Sequence, residues 1–387
     1  MNKPKLIRIT TVPISLKILL KGQLKWMSSY FEVVGVSSSG EEVQEVRDQE
    51  GIRVEEIQMS RQITPIQDLI SLVKMIRFLQ KEKPQIVHSH TPKAGIIGML
   101  AAKIAGVPIR IHTVAGLPLM EASGMKRKIL LLVEKLTYWS ATQVIPNSKG
   151  LEAFILQENL VSSRKIQLIG KGSSNGIDTQ HFDPETVSDD EKQKLRKELH
   201  LKEDDFVFVF VGRLVADKGI HELVSAFSQL KIENAKLLLV GPFETELDPL
   251  SLDTMEEIKN NPSILSVGFQ SDVRPYFAIS NVLVFPSYRE GFPNVVMQAG
   301  AMGLPSIVSD INGCNEIIQN GENGWIVPVK DENAVYSAMK EILENSELYH
   351  RLRLNARERI CQGYEQEVFW QELLKEYQRL MRENSTL

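Results

Sequence analysis

Cysteine is nearly absent: Cys314 and Cys361 are the only two in 387 residues. Two thiols build no disulfide framework and offer no zinc-ligand spacing, which suits a reducing cytosol. Long apolar runs are missing as well. No run of 18 apolar residues occurs without a charge, so no membrane-spanning helix is expected. Pro13, Lys17 and Lys21 break up the opening stretch before a secretion signal could form. The strand that ends at Gly212 is not followed by G-x-G-x-x-G, which counts against a nicotinamide dinucleotide. No D-x-D follows an apolar strand, so no metal is expected. A net charge of -4 excludes nucleic-acid binding through bulk positive charge.

What is present is a chain that is 43% hydrophobic and 24% charged, long enough for two domains. The near-neutral total hides an asymmetry. Residues 1–180 hold 24 Lys and Arg against 15 Asp and Glu, a net of +9; residues 181–387 hold 21 against 34, a net of -13.

Apolar runs over 6–10, 32–36, 85–88, 108–113, 142–146 and 166–169 alternate with helical patterns over 66–79, 94–105 and 127–139. Strands too apolar for a wet face, alternating with helices, predict an α/β fold with a parallel sheet covered on both sides. A polar stretch over 183–205 reads as an interdomain crossing plus a surface helix. A second strand series follows over 206–211, 236–240, 264–267, 282–285, 305–308 and 324–327, and helical periodicity continues after Asn333. The expected division is 1–183, 184–364 and a last helix over 365–387 crossing back to the first domain. Two such doubly wound domains would face a common cleft with the carboxyl ends of their strands.

Three stretches of the second half carry chemistry, each directly after a strand. In the first, Gly212 closes a strand and the loop bears Arg213 and Lys218, two cations able to neutralise a diphosphate without a metal. In the second, Glu290 can accept hydrogen bonds from sugar hydroxyls, and Pro293 is expected in the first turn of a helix reaching Ala301, whose free N–H groups suit an anion. In the third, Asn312 is expected to cap a helix that has Glu316 in its first turns.

Together these stretches resemble the family-4 retaining glycosyltransferases of the GT-B fold, with two Rossmann-like domains. The resemblance runs through Gly212, Arg213, Lys218 and Gly219, then Pro286, Ser287, Glu290, Gly291, Phe292 and Pro293, then Ala299, Gly303, Pro305, Gly313 and Glu316. Asn175, Gly176, Ile177, Asp178 and Phe182 match the segment before the domain crossing. The style of residues 6–13 and 112–118 looks like bacterial capsular and surface-polysaccharide transferases. The resemblance implies transfer of a sugar, with retention, from a nucleotide diphosphate sugar (UDP by family frequency) to a glycan or polyprenyl-pyrophosphate-linked glycan. Arg213 and Lys218 would hold the pyrophosphate and Glu290 the donor sugar. Gly268 and Phe269 would lie near the base, with Gly212, Gly291, Phe292, Asn294 and Gln298 completing the donor site. His90, His112 and Thr113 are candidates for the acceptor side. No cofactor and no metal are implied.

The chain departs from the family pattern at three places. Gln298 stands where a second glutamate is expected, Ala115 where a histidine is expected, and the loop 10–15 lacks paired glycines. Gln298 and Ala115 leave open a non-catalytic sugar-nucleotide-binding relative, and the shared two-domain fold leaves open a nucleotide-sugar 2-epimerase. His88 and His90 lack a third metal ligand, so one is expected to pack and the other to line the cleft.

The basic half contains residues 14–31, read as one amphipathic helix with Lys17, Lys21 and Lys25 stacked, and the Lys126–Arg127–Lys128 cluster opening an apolar helix. Either apolar face could pack on the sheet. Alternatively, the basic faces could lie on an anionic membrane. The expected location is cytoplasmic, peripheral on the inner face of the cell membrane.

Overall fold

Twelve strands carry the architecture in the computed structural model, which describes residues 3–60, 62, 64–120, 122–244, 246 and 248–385. The first sheet contains β1 (Lys5–Ile9), β2 (Glu32–Ser37), β3 (Arg53–Glu56), β4 (Ile86–His90), β5 (Ile109–Val114) and β6 (Gln143–Pro146). All pairings are parallel, in the order β3-β2-β1-β4-β5-β6. The second contains β7 (Phe206–Val211), β8 (Ala235–Val240), β9 (Ile264–Ser266), β10 (Val282–Phe285), β11 (Ser306–Ser309) and β12 (Gly324–Val327). It is also parallel, in the order β12-β11-β10-β7-β8-β9. Each sheet reverses its strand order once, between β1 and β4 and between β7 and β10. In doubly wound folds ligands bind at that reversal.

Two expectations about strands need correction. Residues 53–56 form β3, although the stretch RVEE has only one buried apolar side chain, Val54. An edge strand needs one covered face and one neighbour, so its apolar signal is weak. Residues 166–169 make only an isolated bridge, Ile166 to Val144, on the free edge of β6.

The chain divides into Met1–Gly176 with Glu367–Leu387, and Ile177–Gln366. The boundary falls at 176/177, before the polar stretch rather than inside it. The helix Asp189–Glu198, with its Ser188–Glu191 capping box, therefore belongs wholly to the second unit. The last helix, Gln366–Ser385, buries Trp370, Leu373 and Tyr377 against Leu6, Leu16, Leu24 and Ile86 of the first unit. Redrawn on these units, the first holds 27 basic and 18 acidic residues (+9), the second 18 and 31 (-13). The asymmetry is a property of the folded units.

Residues 14–31 do not form one helix. Helices Pro13–Leu19 and Gln23–Met27 are separated at Gly22, where the Trp370 ring packs close to the backbone. Leu16, Leu20, Leu24 and Met27 are fully buried, so this apolar face is core.

Candidate active site

The FVFVFV run of β7 is buried along its centre and releases the chain at Gly212, whose N–H still bonds to Val240 O at 2.9 Å. A 3-10 turn, Ala216–Lys218, then presents Lys218 at the head of the helix Ile220–Leu230. On the other side of the strand-order reversal, β10 ends at Phe285 and residues 286–290 lie against this turn. Gly219 sets the spacing: a Cβ there would lie 2.1 Å from Pro286 O, and its φ is +71°. Tyr288 N donates to Asp217 O at 2.8 Å, and Arg289 pairs with Asp217 at 3.0 Å.

At the centre, Lys218 Nζ donates to Glu290 Oε1 at 2.5 Å, with the two side chains 16% and 18% exposed. The buried Ser287 hydroxyl has Glu290 Oε1 and the Arg289 carbonyl as acceptors, both at 3.1 Å. Arg213 is half exposed and pairs with Glu244. Both candidate pyrophosphate cations are thus held by carboxylates, one partly buried and one at the surface. A phosphate group would meet guanidinium and ammonium donors already oriented by these partners.

The third loop closes on the second. A Cβ at Gly313, with φ +76°, would lie 2.8 Å from Gly291 O, so a side chain there would push the two loops apart. Asn312 does not cap the following helix: Cys314–Ile317 begins after Gly313 without a side-chain cap, and Asn312 Nδ2 donates to Gly291 O at 3.4 Å. Cys314 is fully buried. Burial first, and then the charge of Glu290, pushes its thiol well above the usual range. Pro293 stands at the cap position, one residue earlier than expected, and the helix is Asn294–Ala301. It too has no side-chain cap, which leaves first-turn N–H groups open to an acceptor.

The remaining donor-side candidates separate by exposure. Gly268 O accepts the Gly241 N–H at 2.8 Å, which ties the loop after β9 to the end of β8, and Phe269 stands 73% exposed beside it. Asn294 is exposed, with the half-buried Gln298 one turn later on the same helix face. Phe292 is core: its ring packs 5.6 Å from Tyr364, so only its backbone is available to a ligand. Glu244 and Asp217 escaped the sequence reading, and Ser287 entered it only through the resemblance, without a role. Glu244 carries the one usable signal, an acidic residue in a loop just after an apolar strand and glycine.

In the first unit the structure separates the acceptor-side candidates. Side chains alternate across a strand, so His88, His90 and Thr113 face one side of the sheet, where His88 bonds to Thr113 at 2.7 Å and to Tyr377 at 2.6 Å. His112 faces the other, where it bonds to Ser89 at 2.8 Å. All four are buried. His90 therefore does not line a surface. Its Nε2 accepts from the fully buried Arg8 at 2.8 Å, which fixes a neutral ring because arginine only donates. The rings of His88 and His90 stack 4.3 Å apart rather than converging on a point. Burial and the neighbouring Arg8 push both well below the usual histidine range. Among the described residues no three His, Cys, Asp or Glu side chains come together as a metal site.

The order of loops at the second sheet's reversal fits the matches of the chain to known proteins. Residues 191–359 match the model for glycosyl transferases group 1, and residues 26–172 match the glycosyl transferase 4-like domain. A capsular polysaccharide biosynthesis glycosyltransferase of Staphylococcus aureus, CapM, is 37% identical over 99% of each chain. The chain belongs to the family-4 glycosyltransferases. A second relative of this glycosyltransferase is the Escherichia coli UDP-Gal:alpha-D-GlcNAc-diphosphoundecaprenol alpha-1,3-galactosyltransferase, 32% identical over 79% of this chain and 78% of its own. Among solved structures, Anabaena HepE in complex with UDP superposes with a TM-score of 0.83 at 18% identity, covering 97% of this chain and 100% of its own. The fold is GT-B. No helix among the described residues is long and apolar enough to cross a membrane.

Proposed function

We propose that this glycosyltransferase transfers a sugar from a nucleotide diphosphate sugar, a UDP-sugar, to a glycan carried on polyprenyl diphosphate, in bacterial capsular or surface-polysaccharide synthesis. The observation that carries the reading is the Lys218–Glu290 pair at the strand-order reversal. It sets a cation for the leaving diphosphate beside a carboxylate for the sugar hydroxyls. The full-length similarity to CapM and the lipid-linked acceptor named for the Escherichia coli relative support the process and the acceptor class.

In this reading Arg213 and Lys218 stabilise the charge that develops on the departing diphosphate, with N–H groups of the helix Asn294–Ala301 beside them. Glu290 orients the donor sugar, while Phe269 stacks on the base. Neutralisation falls to protein cations, so transfer proceeds without an added divalent metal. The product keeps the donor's anomeric configuration, by attack on the face the diphosphate leaves. The enzyme works at the cytoplasmic face of the cell membrane, in peripheral contact with anionic lipid.

The test is incubation of the purified chain with a panel of sugar nucleotides and a polyprenyl-diphosphate-linked acceptor, with and without chelator, followed by NMR of the product anomer. Transfer with retention in chelator is expected. An inverted anomer refutes the stereochemistry. Conversion of the sugar nucleotide without acceptor points to an epimerase instead. Binding of UDP-sugar without turnover on any acceptor points to a non-catalytic relative, the outcome that Gln298 and Ala115 would then explain.

A further inference from the structure

The helix Gly124–Ser140 packs Tyr138, Leu130 and Leu131 on the core and still carries a second apolar face outside. Its buried side chains are Glu134, Thr137, Tyr138 and Ser140. Its exposed large side chains are Met125, Ile129, Leu132, Leu136 and Trp139, with Leu132 69% and Trp139 59% exposed. The spacing of these five, alternately four and three residues, lays them in one stripe along the helix. Water gives no reason for a helix to turn its carboxylate inward and five apolar side chains outward. Something apolar covers the stripe.

Charge identifies the partner. At 100° per residue, Lys128 and Lys135 border the stripe on one side and Lys126 on the other, and all three are exposed. Among the described residues none of them has a carboxylate partner, and the helix's one acid, Glu134, is buried. Lys103 extends over the Trp139 ring, 3.0 Å from its centroid. The helix Pro65–Glu82 repeats the theme: Ile66, Leu69, Ile70 and Val73 are exposed in its first turns, followed by exposed Lys74, Arg77 and Lys81. Both helices pack against the same helix, Pro92–Ile104, within the first unit. Nine large apolar side chains ringed by basic ones exceed the scattered singles of a water-facing surface.

We infer that the stripe of Gly124–Ser140, with the start of Pro65–Glu82, seats in an anionic bilayer surface, its apolar side chains among the acyl chains and its lysines on the headgroups. Trp139 sits at the interface, where indole is favoured. The inference deepens the lipid-linked acceptor reading and rests on it for its purpose, because it provides the face by which the enzyme reaches that acceptor. It also moves the membrane contact away from residues 14–31, where Leu16, Leu20, Leu24 and Met27 are core and Ile18 and Tyr30 are the only large apolar side chains left exposed.

The test uses the full chain and flotation with vesicles of phosphatidylcholine mixed with phosphatidylglycerol, against vesicles of phosphatidylcholine alone. Binding to the mixed vesicles is expected, with a blue shift of the tryptophan emission that Trp139→Phe removes. Replacing Lys126, Lys128 and Lys135 by Gln should weaken binding about fivefold per charge, and Leu132→Ser with Leu136→Ser should weaken it further. All these residues are exposed, so circular dichroism and transfer to a short water-soluble acceptor should stay at wild-type levels. Equal binding by both vesicle types, or binding unmoved by either variant set, would overturn the inference. So would a wild-type dimer that the serine variant makes monomeric, with no lipid binding in either. Vesicle binding reads the surface alone: binding without transfer to any acceptor refutes the functional reading and leaves this one standing.

Discussion

Lys218 Nζ and Glu290 Oε1 lie 2.5 Å apart although 72 residues separate them in the chain. The strand-order reversal between β7 and β10 makes them neighbours, and both side chains are mostly shielded from water. In such a setting an oriented charge acts more strongly on a developing anion than it would in solvent. Lys218→Ala should lower turnover by about a hundredfold or more, and Arg213→Ala should nearly abolish transfer, both with an unchanged fold by circular dichroism. Steady-state kinetics with the donor decides. Wild-type turnover in Arg213→Ala would remove that residue from its assigned role.

Gly219 holds the Lys218 turn against Pro286, with no room for a Cβ. Gly219→Ala must shift one loop, and a displacement of about 1 Å at a reacting group can cost roughly a hundredfold in rate. A lower melting temperature and a fall in turnover together are expected. A variant with both unchanged would show that the close approach is dispensable.

Gln298 shares a helix face with Asn294 and offers one carbonyl acceptor where relatives of the family pattern offer a carboxylate. A charged acceptor gains about 1 kcal/mol over a neutral one. Gln298→Glu is therefore expected to tighten UDP-sugar binding about fivefold, measured by titration calorimetry. Unchanged affinity would mean that residue 298 does not touch the donor, and weaker affinity that its charge meets the diphosphate.

Glu134 is buried, and that burial raises its carboxyl from 4.5 to about 7. Between those values the folded state holds a proton that the unfolded chain releases, so stability falls as pH rises through 7. The contribution amounts to roughly 3 kcal/mol. Glu134→Gln cannot ionise, so its melting temperature should gain on the wild type from pH 5 to about pH 7 and hold level above that. Parallel curves would contradict the burial of a charge there.

His112 has the opposite sign. Burial lowers its imidazole from 6.5 to about 4, so the unfolded chain takes up the proton first and stability is lost as pH falls from 6.5 towards 4. The loss is also roughly 3 kcal/mol. His112→Asn keeps a polar partner for Ser89 without the titration, and should flatten that part of the acid unfolding profile. An unchanged profile would place the acid sensitivity elsewhere, first at His88 and His90.

Much of this site was legible in advance because its signals are local. Gly212, Arg213, Lys218 and Glu290 each follow a run of apolar residues closely, and a strand end that turns polar is visible in one dimension. Arg8 was missed for the complementary reason. One cation inside the apolar run of β1 reads as noise until Gln23 and His90, 15 and 82 residues away, are seen to receive it. His90 and His112 were grouped on one acceptor side, although alternation along paired strands sets them on opposite faces, and nothing local showed that the last helix would cover one face with Tyr377.

By itself the sequence determined the two α/β layers, their charge asymmetry and the cations available for a diphosphate, because periodicity, composition and residue chemistry are properties of neighbours along the chain. Only the tertiary structure decided which loops meet, where the units divide and which apolar faces remain uncovered. Residues 14–31 and 124–140 carry the same kind of apolar and basic pattern. Trp370, 339 residues past the end of the first, is part of what buries it, whereas the second packs Tyr138 and Glu134 inward and leaves an apolar stripe outside. A period announces a face; packing between distant segments chooses what covers it.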